Sequence, residues 1–156
     1  MLECKAPHDY SGFSKDWPKL FCAGSIEMGT AEDWQSRVVF GLRTTPGLIL
    51  NPRRDDWDSS WTQSIENEQF RTQVEWELRA MEDADVVCMY FSPGTQSPIT
   101  LLEFGLYAGS DKLVVCCPDG FWRKGNVEVT ARRYGTPMVD DIQQLIEHLR
   151  VRLSYR

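Results

Sequence analysis

The sequence predicts an α/β protein, a flavodoxin-like doubly wound sheet of about five parallel strands flanked by helices. Three observations lead there. Four short runs, residues 20–23, 48–50, 86–91 and 113–117, are apolar at nearly every position, which suits strands covered on both faces. Segments of helical length and mixed polarity separate those runs, the alternation that a parallel sheet with crossover helices requires. The chain of 156 residues is long enough to bury one core without disulfide staples, and too short for two.

Residues 1–17 are polar and punctuated by Pro and Gly, and read as an irregular arm ahead of a single domain over 18–156. After the strand at 20–23, Gly24-Ser25 turns the chain. Thr30 is then the expected N-cap of a helix over 31–42, with Glu32 and Asp33 in its acidic first turn. The strand at 48–50 ends at Asn51-Pro52, and a polar loop containing Trp57 and Trp61 leads to a helix over 67–83. Beyond the strand at 86–91, the loop Ser92-Pro-Gly-Thr-Gln-Ser-Pro98 introduces a helix over 99–109. The strand at 113–117, a weak strand near 137–139 and a helix over 140–153 complete the pattern. In such folds ligands sit beyond the carboxyl ends of the strands, so the loops at 24–29, 51–64 and 92–98 are the candidate site.

Composition removes several functions. The formal net charge of −6 disfavours a nucleic-acid partner, whose phosphates call for a basic face. No segment reaches the roughly 18–20 apolar residues of a membrane span, and the polar N-terminus is neither signal nor anchor, so the expected location is cytoplasmic. The five cysteines are odd in number, and Cys22, Cys88, Cys116 and Cys117 fall in apolar runs, the pattern of buried thiols rather than of disulfides. With no CxxC and with His8 and His148 at opposite ends, no zinc site is expected.

Two carboxylates stand out. Glu103 is the single charge in Pro98-Ile-Thr-Leu-Leu-Glu-Phe-Gly-Leu-Tyr-Ala-Gly109, a helix apolar on nearly all sides and therefore expected to pack on the sheet. A carboxylate there is partly desolvated and costs stability unless something uses it or pairs with it, Arg37 and Arg43 being the alternative partners. Glu77 shares the face of Phe70, Val74, Leu78 and Met81 on the preceding helix, the expected inward stripe, unless it turns outward to Arg71 or Arg79. Two carboxyl groups facing one region suit glycosidic cleavage, one as nucleophile and one handling the leaving group's proton. Ser25 and Ser97, at a strand end and a helix start, can offer hydroxyl and N–H groups to a sugar or phosphate, or simply cap. Asp85, at the amino end of its strand, is expected to be structural. Asp56 and Trp57 are candidate substrate contacts in the loop that follows the second strand, where Trp57 and Trp61 either stack on a base or pack locally.

Together these residues resemble the nucleoside 2-deoxyribosyltransferase superfamily, which includes the nucleoside 5'-phosphate N-hydrolases. The resemblance runs from about Leu20 to Asn126. Its strongest part is Ala84-Asp-Val-Val-Cys-Met-Tyr followed by Leu102-Glu-Phe-Gly-Leu-Tyr-Ala108, similar to a signature whose glutamate is the nucleophile and falls on Glu103. Leu20-Phe-Cys-Ala-Gly-Ser-Ile26 is similar to the family's opening strand and its Gly-Ser-Ile turn, which implies Gly24, Ser25 and Ile26 as substrate contacts. Glu77 occupies the position, eight residues before Asp85, where the family usually carries an aspartate. Asn126 resembles a residue that the transferases lend to a neighbouring subunit's site.

The resemblance implies a retaining mechanism without metal or redox cofactor, a nucleoside or nucleotide substrate, and a homodimer or larger homo-oligomer with shared sites. Three departures leave the substrate class open. Phe21 stands where many members have a tyrosine. Ser97, six residues before Glu103, replaces the aspartate of the transferases and matches the serine of the nucleotide hydrolases. Glu27 replaces the basic residue that follows the turn in those hydrolases. Transfer to a second base, hydrolysis of a 5'-monophosphate and a catalytically silent nucleotide-binding module all remain open.

Overall fold

A computed structural model describes residues 1–26, 31–58 and 60–154. In chain order its elements are β1 (Leu2–Lys5), β2 (Lys19–Gly24), α1 (Trp34–Gly41), β3 (Leu48–Asn51), α2 (Glu68–Asp83), β4 (Val86–Tyr90), α3 (Pro98–Tyr107), β5 (Leu113–Cys116), α4 (Lys124–Tyr134), β6 (Met138–Val139) and α5 (Ile142–Ser154). The strands form one sheet in the order β1-β3-β2-β4-β5-β6, and every pairing is parallel. The doubly wound α/β architecture is therefore present, with six strands where the sequence led us to expect about five.

The additional strand is β1, inside the segment expected to be irregular. Leu2-Glu-Cys-Lys5 pairs with β3 along one edge only and carries two charges, so it has no continuous apolar run to announce it. The rest of that segment covers α2. The Trp76 indole donates to His8 O at 2.9 Å, Tyr10 meets the Trp76 ring edge-on at 5.8 Å between centroids, and the Tyr10 hydroxyl donates to Asp83 at 3.0 Å.

These contacts turn α2 away from the expected stripe. Its buried residues are Gln73, Trp76, Ala80 and Met81, whereas Leu78 is 41% exposed. Trp76 occupies the space between the N-terminal segment and Phe21, whose ring lies 6.4 Å away, and so decides which face turns inward. Asn67 caps this helix by accepting from Phe70 N at 2.9 Å.

At the start of α1 the cap is Asp33, which accepts from Ser36 N at 3.1 Å. Thr30 and Glu27 lie outside the described residues. The helix α4 was not expected from the sequence, and Gly125, Asn126 and the β-branched Val127, Val129 and Thr130 have poor helix propensity. Tertiary burial of Val127 and Ala131, one turn apart, overrides that preference, and Gly135 at φ 71° ends the helix in a left-handed cap.

Two cores sandwich the sheet. On one face α1 and α5 contribute Trp34, Val38, Ile142, Leu145 and Leu149, and Leu42 at the end of α1 joins them. On the other, α2, α3 and α4 contribute Trp76, Ala80, Met81, Phe104 and Val127, with Ala108 at the end of α3. All five cysteines are buried free thiols. Among the described residues no helix is long and apolar enough to cross a membrane. Trp76→Ala is expected to cost about 3–5 kcal/mol in urea unfolding and Leu78→Ala less than about 1 kcal/mol, an ordering that the originally expected stripe would reverse.

Candidate functional site

β2 leaves for β3 on one side, and the chain then crosses to β4 on the other side of β2. The carboxyl ends of β2 and β4 therefore flank the topological switch point. There the backbones approach so closely that only glycine fits at position 24. A Cβ on Gly24 would lie 2.5 Å from Tyr90 O, and its φ of 144° is unfavourable for any other residue.

Ser25 follows with its hydroxyl inside a small polar cluster. Its Oγ accepts from Ser92 N at 2.9 Å and shares hydrogen bonds with Ser97 Oγ at 2.5 Å and Thr95 Oγ1 at 3.2 Å. Thr95 and Ser97 are themselves 2.8 Å apart. Ser97 holds φ 45°, a left-handed conformation costly for a serine, just before Pro98 starts α3. Ser25 and Ser97, each a separate candidate in the sequence, are thus brought together from 72 residues apart. Thr95 was not singled out beforehand, although its place in a Ser/Thr-containing loop at a strand end was a usable signal.

Glu103 lies on the buried face of α3, 9% exposed, while Ile99, Leu102 and Leu106 on the opposite face are 60%, 61% and 61% exposed. The expected packing of α3 is thereby corrected: one face meets the core and an apolar face is open. Neither arginine considered as a partner reaches Glu103, since Arg37 lies 3.9 Å from Glu32 and Arg43 bonds Phe40 O. Among the described residues nothing hydrogen-bonds its carboxylate. Burial, and then the charge of Glu77, push the Glu103 carboxyl from the usual 4.5 up to about 8.

Glu77 comes from α2 on the same face of the sheet. The residue as a whole is half-buried, its carboxyl being the enclosed end. Burial pushes that carboxyl up to about 7, against the opposing effect of a 2.7 Å hydrogen bond from Gln73. Arg71, one of its two possible arginine partners, bonds Ile65 O instead. The two carboxyl groups are close enough to couple, so the charge of one disfavours ionisation of the other.

The remaining candidates are scattered. Asp56 is exposed and held by Arg54 through two 2.8 Å bonds. Trp57 packs against Trp61 at 5.1 Å, and Arg54 lies over the Trp61 ring at 4.9 Å, so this loop is packed on itself. Asn126 is an exposed residue of the first turn of α4, and Ile26 is half-buried beyond Ser25. Arg53 ties the loop after β3 to the one after β2 by donating to Ala31 O at 2.8 Å. Asp85 is structural, accepting from Lys19 N at 2.9 Å. Among the described residues no three His, Cys, Asp or Glu side chains are grouped to hold a metal. A cleft of about 580 Å³ lies elsewhere, along Val139, Gln144 and His148. It is open and one-sided, and the coupled carboxyl groups make the switch point the better candidate.

Residues 17–121 match the family model described as nucleoside 2-deoxyribosyltransferase like. A search of curated proteins found no match.

The two raised carboxyl groups fix a pH dependence of stability. Both folded values exceed the unfolded value of 4.5, so the folded chain holds protons that the unfolded chain releases. Their stabilising contribution is complete below about pH 4.5 and is lost as pH rises through about 7 and 8. Glu103→Gln is therefore expected to raise the melting temperature by on the order of 5 °C at about pH 8.5, with the gain vanishing toward about pH 5.

Proposed function

We propose, from the premise that this chain belongs to the nucleoside 2-deoxyribosyltransferase-like family, that it cleaves or exchanges the N-glycosidic bond of a (deoxy)nucleoside or nucleotide. The observation that carries the reading is the coupled pair of buried carboxyl groups, Glu77 and Glu103, on neighbouring helices at the site face.

Glu103 is the nucleophile. Its carboxylate attacks C1' as the bond from C1' to the base nitrogen breaks through an oxocarbenium-like transition state, and a glycosyl ester forms on Glu103. Glu77 gives its proton to the departing base. A second base, or water in the hydrolytic variant, then attacks C1' and frees Glu103. Glu77, at about 7, ionises before Glu103, at about 8, so the mechanism requires bound substrate to invert that order. A proton on Glu77 removes the charge that helps to hold the Glu103 carboxyl up, and so favours the Glu103 carboxylate.

The hydroxyl cluster of Ser25, Thr95 and Ser97 supports a contact to the far end of the sugar. Glu103 stands six residues, about 9 Å, along α3 from Ser97, and helical side chains lean toward the amino end. That is the scale of a pentose with its 5'-substituent. The three hydroxyl groups of this cluster favour the 5'-monophosphate hydrolase as the alternative to transfer. Phe21 supports a different reading, a silent nucleotide-binding module: it is fully buried against Trp76 and supplies no hydroxyl.

Incubating the protein with nucleosides and nucleoside 5'-monophosphates, with and without an acceptor base, separates these readings. Free base from monophosphates alone marks the hydrolase, and base exchange marks the transferase. Glu103→Ala is expected to abolish either and Glu77→Gln to slow it by about 10²- to 10⁴-fold. If Glu103→Ala matches wild type across the panel, the enzymatic reading fails.

The reading includes a homodimer or larger homo-oligomer. Its support is the apolar outer face of α3, where Ile99, Leu102 and Leu106 recur at i, i+3 and i+7 without a charge among them. A second copy of the same face is the occupant that an uncharged, self-complementary stripe fits. Light scattering is expected to show Leu102→Glu with Leu106→Glu reduced to the monomer mass, and an unchanged mass rejects this surface.

A further inference from the structure

Gln73 is a buried amide on the inward face of α2, one turn before Glu77 and 3% exposed. Its Nε2 has two acceptors: Pro52 O at 3.0 Å, in the loop that follows β3, and Glu77 Oε1 at 2.7 Å. Both protons of the amide nitrogen are thereby used, one on a backbone carbonyl that belongs to a different element and one on the carboxyl. Its Oε1 is buried and has no hydrogen-bond partner. An ordinary i, i+4 surface pair has no such tether, and its side chains are free to rotate. Here the Pro52 carbonyl fixes the amide, and the amide fixes the carboxyl.

We infer that Gln73 is a positioning residue for Glu77: tethered to Pro52, it commits Glu77 Oε1 as a hydrogen-bond acceptor and leaves Oε2 as the oxygen that carries the transferable proton. The inference rests on the reading of Glu77 as the proton donor. In the reaction the proton on Oε2 passes to the leaving base nitrogen and Glu77 becomes a carboxylate, with the Gln73 bond to Oε1 kept throughout. Because that bond strengthens as charge develops on Glu77, it favours the ionised product of the transfer.

The charged groups around the pair leave this amide as the local donor. Glu103 of α3 is the titratable group that feels the charge of Glu77. From the loop after β3, Arg53 is turned to Ala31 O and Asp33, and Arg54 to Asp56. On α2 itself, Arg71 is turned to Ile65 O and Glu75.

The test combines a titration with kinetics. Glutamate carboxyl carbons are labelled with ¹³C in a Glu103→Gln background, which isolates the titration of Glu77, and Gln73→Met is added to remove the donor at similar volume. Losing a donor to the charged form is expected to raise the Glu77 midpoint by about one unit. In the otherwise wild-type protein, Gln73→Met is expected to lower kcat about tenfold with KM changed less than about twofold. The alkaline limb of the pH–rate profile should move upward, since Glu77 then keeps its proton to higher pH.

An unmoved Glu77 midpoint overturns the inference, as does a shifted midpoint with unchanged kcat. Gln73→Glu, which keeps the side-chain shape, provides a second variant should Gln73→Met fold poorly. Its added negative charge should raise the Glu77 midpoint further, and no rise counts against the inference. Should the wild-type protein release no base from any substrate, the glycosidic reading falls by itself. The titration still decides whether Gln73 governs the Glu77 carboxyl.

Discussion

Parallel pairing of β2 with β4 is the constraint from which the rest of the structure follows. The register runs from Leu20 opposite Val86 to Gly24 opposite Tyr90, and helices cover both strands on both faces. No polar side chain fits in the interior of such a pair, so polar groups gather where it ends. Ser25 and the loop from Ser92 to Ser97 are the first residues released from the ladder, and they emerge side by side. The close approach at Gly24 brings the Ser25 hydroxyl within reach of Ser92 N and Ser97. A wider strand separation would leave these hydroxyl groups to solvent.

Burying two carboxyl groups on one face of the sheet opposes folding, and the surroundings show how the cost is contained. Among the described residues Glu103 has no cation beside it and Glu77 has a neutral amide, so no ion pair there offsets either charge. The pair instead holds protons that free carboxyl groups would release. A salt bridge at either position would lower the cost and also lock that carboxylate in one state. Poised protonation is the property that acid–base and nucleophilic chemistry exploit, and here Arg53 and Arg71, from the loop after β3 and from α2, are engaged elsewhere.

Much of the candidate site was legible in the chain because it depends on local facts. A lone glutamate in an apolar helix has to be desolvated on whichever face it lies, and Glu103 is. Gly24 and Ser25 at a strand end, and Ser97 ahead of Pro98, were readable from turn chemistry alone. For Trp57 the chain left two readings open, stacking on a base or packing locally, and it did not name the partner of Asp56, because the partners of a long loop are set by what it folds against. Here Arg54 and Trp61, inside the loop itself, engage them. Gln73 left no mark beyond its spacing from Glu77, since its meaning comes from a carbonyl 21 residues away.

By itself, then, the sequence determined the fold class, the strands buried on both faces, the free thiols and the two carboxylates of interest. Each of these follows from the solvation preference of a short stretch of residues. Tertiary structure alone decided the edge strand β1, the helix α4 against its own propensity, and the face of α2 that turns inward. It also decided the contact between Ser25 and Ser97, the coupling of Glu77 with Glu103, and the tether from Pro52 through Gln73. Those features depend on which distant surfaces meet, and a hydrogen bond or an interaction between two charges exists only once the packed sheet has brought its two ends together.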